Sequence, residues 1–141
     1  MGADKHKVYY VVIVGNVPGD HLYLRRIINK MFPQAIVESL YLNEESLSFL
    51  THHCQAPDLI FLQHQTAMAD ETGMYSLLKA QADFKKVPVI LVGDDAEEKV
   101  QSPIVLSNSA AYFKRSFQLN SVEWMARNLM GKYDRLMQSG V

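Results

Sequence analysis

Cysteine is nearly absent. Cys54 is the single one in 141 residues, so no intramolecular disulfide is available and the fold must be held by burial. A surplus of charge of either sign is also missing. Lys and Arg number 14 against 15 Asp and Glu, for a net charge of -1, which leaves no global basic field to draw the chain to nucleic acid or to an anionic membrane surface. No apolar run approaches the roughly 20 residues that cross a bilayer. The opening Met1-Gly-Ala-Asp-Lys-His-Lys7 is too polar for a secretory signal. A cytoplasmic protein with no nucleic-acid and no membrane partner is expected. Low-complexity stretches and internal repeats are absent as well. What is present is a core: 48% of residues are hydrophobic and 21% charged, enough to fold as one domain over 1–141, with 1–6 a flexible start and 139–141 a tail.

Along the chain, apolar strand-like runs alternate with amphipathic helical ones. Val8-Tyr-Tyr-Val-Val-Ile-Val14 is a β-branched and aromatic run closed by Gly15-Asn-Val-Pro-Gly19, a strand feeding a loop. From Asp20, the residues Leu24, Ile27, Ile28 and Met31 recur at helical spacing up to Pro33. Ala35 to Leu42 reads as a second strand. Asn43 with Glu44 and Glu45 opens a second helix reaching about His53. Leu59-Ile-Phe-Leu62 is a third strand, Gly73 to Asp83 a third helix, and Val87-Pro-Val-Ile-Leu-Val92 a fourth strand. After Gly93 the pattern weakens, because Ser102-Pro103 leaves room for only a short or broken fourth helix. Ala110 to Lys114 is a fifth strand. Ser121 to Gln138 is a long helix with Val122, Met125, Ala126, Leu129, Tyr133 and Leu136 on one stripe. Regular alternation of this kind predicts an α/β fold: a doubly wound, five-stranded parallel sheet covered on both faces. Its ligands are expected at the carboxyl ends of the strands.

At those strand ends the chain resembles the receiver domain of two-component response regulators, a flavodoxin-like (βα)5 fold of similar length. The resemblance spans nearly the whole chain. It is carried by Pro57-Asp-Leu-Ile-Phe-Leu62 leading into Gln63, by Val87 to Val92 leading into Gly93, and by Ala110-Ala-Tyr-Phe-Lys-Arg-Ser-Phe117. In that family an acidic pair after the first strand holds Mg²⁺, an Asp after the third accepts a phosphoryl group, and a hydroxyl and a lysine after the fourth and fifth bind it. The matching positions here are Gly15 and Asn16, Gln63 (with Gln65 the other match), Gly93 and Arg115. All five depart from the pattern. A glutamine amide is no carboxylate nucleophile, and Gly15-Asn16 offers no anionic oxygen to a metal. The resemblance therefore implies a vestigial phosphoacceptor pocket and a domain that is not phosphorylated. Ser116 stands where the family has a proline, so the trans peptide is expected; a cis bond there costs roughly 2.5–4 kcal/mol.

Other candidates carry less chemistry. Asp20, Asp94 and Asp95 are the acids nearest the strand-end loops; helix capping explains them better than a displaced cation site. Arg115 fits an internal pair with Asp94 or Asp95 better than a bound anion. Adjacent His52, His53 and Cys54 point in different directions on a helix and are not expected to ligate one metal. His64 is a lone histidine in a polar loop, and Gly15 to Gly19 lacks the spacing of a phosphate-binding loop. Tyr112 matches the family's aromatic switch residue, but Gly93 supplies no hydroxyl for it to follow. A fixed Tyr112 is expected, on an interaction face with Trp124, Met130, Tyr133 and Met137.

The expected function follows from these departures: a stand-alone, non-phosphorylatable receiver-like domain that is no enzyme, needs no cofactor and no metal, and acts in signal transduction by binding a signalling protein or a second copy of itself. The competing expectation is a flavodoxin-like module whose strand-end pocket takes a small anionic ligand, nucleotide or quinone through Asn16, Gln63 and Arg115.

Overall fold

A computed structural model describes residues 7–16, 18–41, 56–63, 79–80, 84–93, 111–114 and 122–138. The elements are β1 (Tyr10–Val14), α1 (Pro18–Met31), β2 (Ile36–Leu40), β3 (Leu59–Gln63), β4 (Val89–Gly93), β5 (Ala111–Lys114) and α2 (Val122–Gln138). All adjacent strands run parallel, in the order β2-β1-β3-β4-β5. The expected parallel α/β sheet is what these residues form. The second helix, most of the third, and the weakened fourth over 94–101 lie outside the described residues.

The three central strands are unbroken apolar runs because both their faces are buried. On one face Val11, Ile13, Leu59, Phe61, Ile90 and Val92 join Ala111 and Phe113 of β5. Against them pack Leu24, Ile27, Ile28 and Met31 of α1, and Met125, Ala126, Leu129 and Leu136 of α2. On the other face Val12, Val14, Ile60, Leu62 and Leu91 are equally inaccessible.

Helix α1 begins at Pro18, two positions before the Asp20 start read from the sequence. Proline is suited to a first helical position, where its missing N–H would have had no intrahelical partner. The helix ends as Phe32 N–H donates to the Ile28 carbonyl at 2.7 Å, just before Pro33. Arg25 ties it to β2 through Nε and Nη2, which donate to Ser39 Oγ at 3.3 and 3.1 Å.

At the amino ends of the strands, Asp58 Oδ2 accepts the Tyr10 N–H at 2.8 Å while Oδ1 accepts from Lys7 Nζ at 3.0 Å. Beside them Tyr9 stacks on Phe32 with ring centroids 4.0 Å apart, and Tyr133 meets both rings edge-on at 6.5 and 5.4 Å. Tyr133, expected on an interaction face, is thus a core residue, because its turn of α2 faces this aromatic cluster. Burial, reinforced by Tyr9, Asp58 and Asp134, pushes its phenol up to about 12. Burial, reinforced by Glu38, does the same to Tyr10. The folded state therefore keeps two protons that the unfolded chain releases near 10.0, and stability must fall as pH rises from there toward 12. Urea midpoints measured across that window are expected to drop steadily, and the Tyr133→Phe chain to drop less.

Lys79, beyond the polar segment that follows β3, donates Nζ to the carbonyls of Phe84 at 3.5 Å and Lys85 at 3.3 Å, and also to that of Val87. Desolvation lowers the pKa of this ammonium. The three carbonyls compensate it and fix the entry into β4.

Candidate functional site

Between β1 and β3 the sheet order reverses: the chain leaves β1 outward to β2, then returns across it to β3. Open parallel sheets offer a crevice at the carboxyl end of such a reversal. Gly15 and Asn16 follow β1 there, Gln63 ends β3, and Gly93 ends β4 opposite Lys114 of β5. Four of the five positions read as a vestigial pocket are thus brought to one end of the sheet. Arg115 lies outside the described residues, as do the side chain of Asp20 and all of His52, His53, Cys54, His64, Gln65, Asp94, Asp95, Pro103 and Ser116.

Gln63 reaches from the end of β3 to the end of β1. Its Oε1 accepts the Asn16 N–H at 2.9 Å. A Cβ built on Gly15 would stand 3.0 Å from Gln63 Cβ and 3.2 Å from Oε1, so the side chain lies where any residue larger than glycine would put its first carbon. Gly15 N–H continues the sheet by donating to the Leu40 carbonyl at 3.1 Å. Among the described residues, a cavity lined by Ile13, Gly15, His21, Phe61, Gln63 and Val92 measures about 10 Å³, room for about one water molecule.

His21 is the site residue that the sequence reading passed over. It is 4% exposed, and its Nε2 lies 2.9 Å from the Gly15 carbonyl oxygen. A carbonyl only accepts, so Nε2 carries a hydrogen. The ring rests against Tyr41 with centroids 4.6 Å apart. The signal was available: His21 falls on the inward stripe of α1 with Leu24 and Ile28, where a polar residue must find a partner.

No carboxylate stands among Gly15, Asn16, Gln63 and Gly93, and the described residues contain no group of three His, Cys, Asp or Glu placed to hold a metal. Those four positions by themselves offer hydrogen bonds and shape but no anionic oxygen to Mg²⁺. Among the described residues no helix is long and apolar enough to cross a membrane.

The proposed interaction face divides. Trp124 and Met137 are exposed, at 44% and 53%. Met130 is partly buried against the core. Tyr112 is placed by its backbone in β5, opposite Leu91.

A parallel sheet in this order, with its crevice at the β1/β3 reversal, defines a parallel α/β protein with the strand order of the flavodoxin-like class. Comparison with solved structures narrows the fold to that of signal receiver domains. The chain superposes on the signal receiver domain of a signal transduction histidine kinase from Syntrophus aciditrophicus with a TM-score of 0.61 and 22% identity, over 95% of this chain and 92% of that one. It also superposes on a transiently phosphorylated "switch" in bacterial signal transduction with a TM-score of 0.55 and 14% identity, over 90% of this chain and 98% of that one. No protein-family profile matches the chain, and no curated protein matches it in sequence.

Proposed function

We propose that this chain is a receiver-fold domain that takes no phosphoryl group and works in signal transduction by binding another protein. The observation that carries the reading is Gln63. It occupies the strand end where the receiver chemistry needs a carboxylate nucleophile, and its carbonyl oxygen is bonded to Asn16 N–H at 2.9 Å. Its amide carbonyl carbon has no ionised oxygen to attack phosphorus. The likeness in fold to receiver domains supports the signalling context. On this reading the domain is no enzyme, acts in the cytoplasm, and meets its partner on a face that includes the exposed Trp124 and Met137.

The competing reading, a module for a nucleotide or quinone, needs a pocket of roughly 300 Å³ or more. The cavity that the described residues line there measures about 10 Å³ and by itself does not provide that volume. The proposal is tested by adding Mg²⁺ to ¹⁵N-labelled protein. The amide signals of Gly15, Asn16, Gln63 and Gly93 are expected to stay in place through millimolar metal; saturable shifts confined to them would restore a metal-dependent site.

A further inference from the structure

The carbonyl of Gly15 and the N–H of Asn16 are the two ends of one planar peptide unit. Each end is held by a side chain from a different element: His21 of α1 donates Nε2–H to the oxygen at 2.9 Å, and Gln63 of β3 accepts the N–H at 2.9 Å. We propose that His21 and Gln63 form a two-sided clamp on the Gly15–Asn16 peptide unit, a conformational device that fixes the mouth of the strand-end cleft in one orientation.

A peptide unit turns as a rigid plate about the dihedrals that flank it. Here one of those dihedrals belongs to glycine, the residue with the least restricted rotation. Turning the plate moves its oxygen and its N–H together, so neither contact can be exchanged without the other. Hydrogen bonding at the carbonyl also polarises the N–H of the same unit and strengthens it as a donor.

The surroundings leave both side chains little choice. His21 Nδ1 is buried and has no hydrogen-bond partner among the described residues, where the ring's polar interaction rests on Nε2. Burial keeps water from replacing that contact, and losing it would leave a buried carbonyl unsatisfied. Tyr41 supports the ring plane. On the other side, the Gln63 side chain lies over the face of Gly15, where a Cβ built on the glycine would stand 3.0 Å from Gln63 Cβ and 3.2 Å from Oε1. The clamp needs no phosphoryl chemistry and goes beyond the signalling role.

Amide-resolved hydrogen exchange on the full chain tests it. Gln63→Leu is expected to speed exchange of the Asn16 amide by roughly five- to tenfold, the effect of losing one hydrogen bond. His21→Phe, which touches only the far end of the unit, is expected to speed the same amide comparably. His21→Gln, whose side-chain nitrogen reaches the Nε2 position, should restore it. The Gln63→Leu/His21→Phe double variant should be no faster than the faster single one, because the two contacts act as one unit. An Asn16 amide left at its original rate by His21→Phe would overturn the clamp, as would independent, multiplying effects. Should His21→Phe fail to fold, the ¹⁵N shifts of His21 in the unaltered chain decide: a hydrogen on Nε2 is expected, and one on Nδ1 alone would overturn it.

Discussion

Replacing Gly15 with aspartate is expected to lower stability by about 2 to 4 kcal/mol, the cost of overpacking together with a poorly partnered buried carboxylate. The new Cβ would stand 3.0 Å from Gln63 Cβ. That atom is anchored to β3 and cannot swing away. The carboxylate would then meet Gln63 Oε1, an acceptor facing acceptors. Shortening the neighbour should relieve the strain, so Gly15→Asp with Gln63→Ala is expected to recover at least half of the loss. Chemical denaturation of the four chains measures this. Equal losses in both backgrounds would mean that Gln63 does not set the space at Gly15. An aspartate at the end of β1 is thus expected to conflict with Gln63 in its present place.

Tyr133→Ala is the second large effect, expected at about 3 to 4 kcal/mol, in the range of losing a buried aromatic ring. Tyr133 is 7% exposed and meets Tyr9 and Phe32 edge-on. Trp124→Ala, on the outer side of the same helix, should cost under about 1 kcal/mol. Thermal unfolding of the two variants separates the core of α2 from its surface. A Tyr133→Ala chain as stable as the Trp124→Ala chain would put Tyr133 back on an interaction face.

The fold was legible because its strongest signals are local. Val8 to Val14, Leu59 to Leu62 and Val87 to Val92 are continuous apolar runs, which only strands buried on both faces require. Their edges were less legible. Pro88 lies next to β4 but outside it, since β4 begins at Val89; Pro18 opens α1 where loop composition hid the start. At the site, the ends of the apolar runs marked where the strands stop, and Gly15, Asn16, Gln63 and Gly93 lie at those ends. Their contacts were not readable. Sequence shows that Gln63 lacks a carboxylate, but only coordinates show its amide folded back onto the Asn16 N–H. Tyr133 illustrates the same limit: it falls on the inward stripe of α2 and also extends an apolar end, and packing against Tyr9 and Phe32 decides between the two.

The central claim is the absence of phosphoryl acceptance, and one measurement addresses it directly. The full chain is incubated with acetyl phosphate and Mg²⁺ and its intact mass is read under conditions that preserve acyl phosphates, with a phosphorylatable receiver domain alongside as the positive control. The unmodified mass is the predicted result while the control gains one phosphoryl group. A gain of one phosphoryl group on this chain would contradict the account and place the acceptor on a residue other than Gln63.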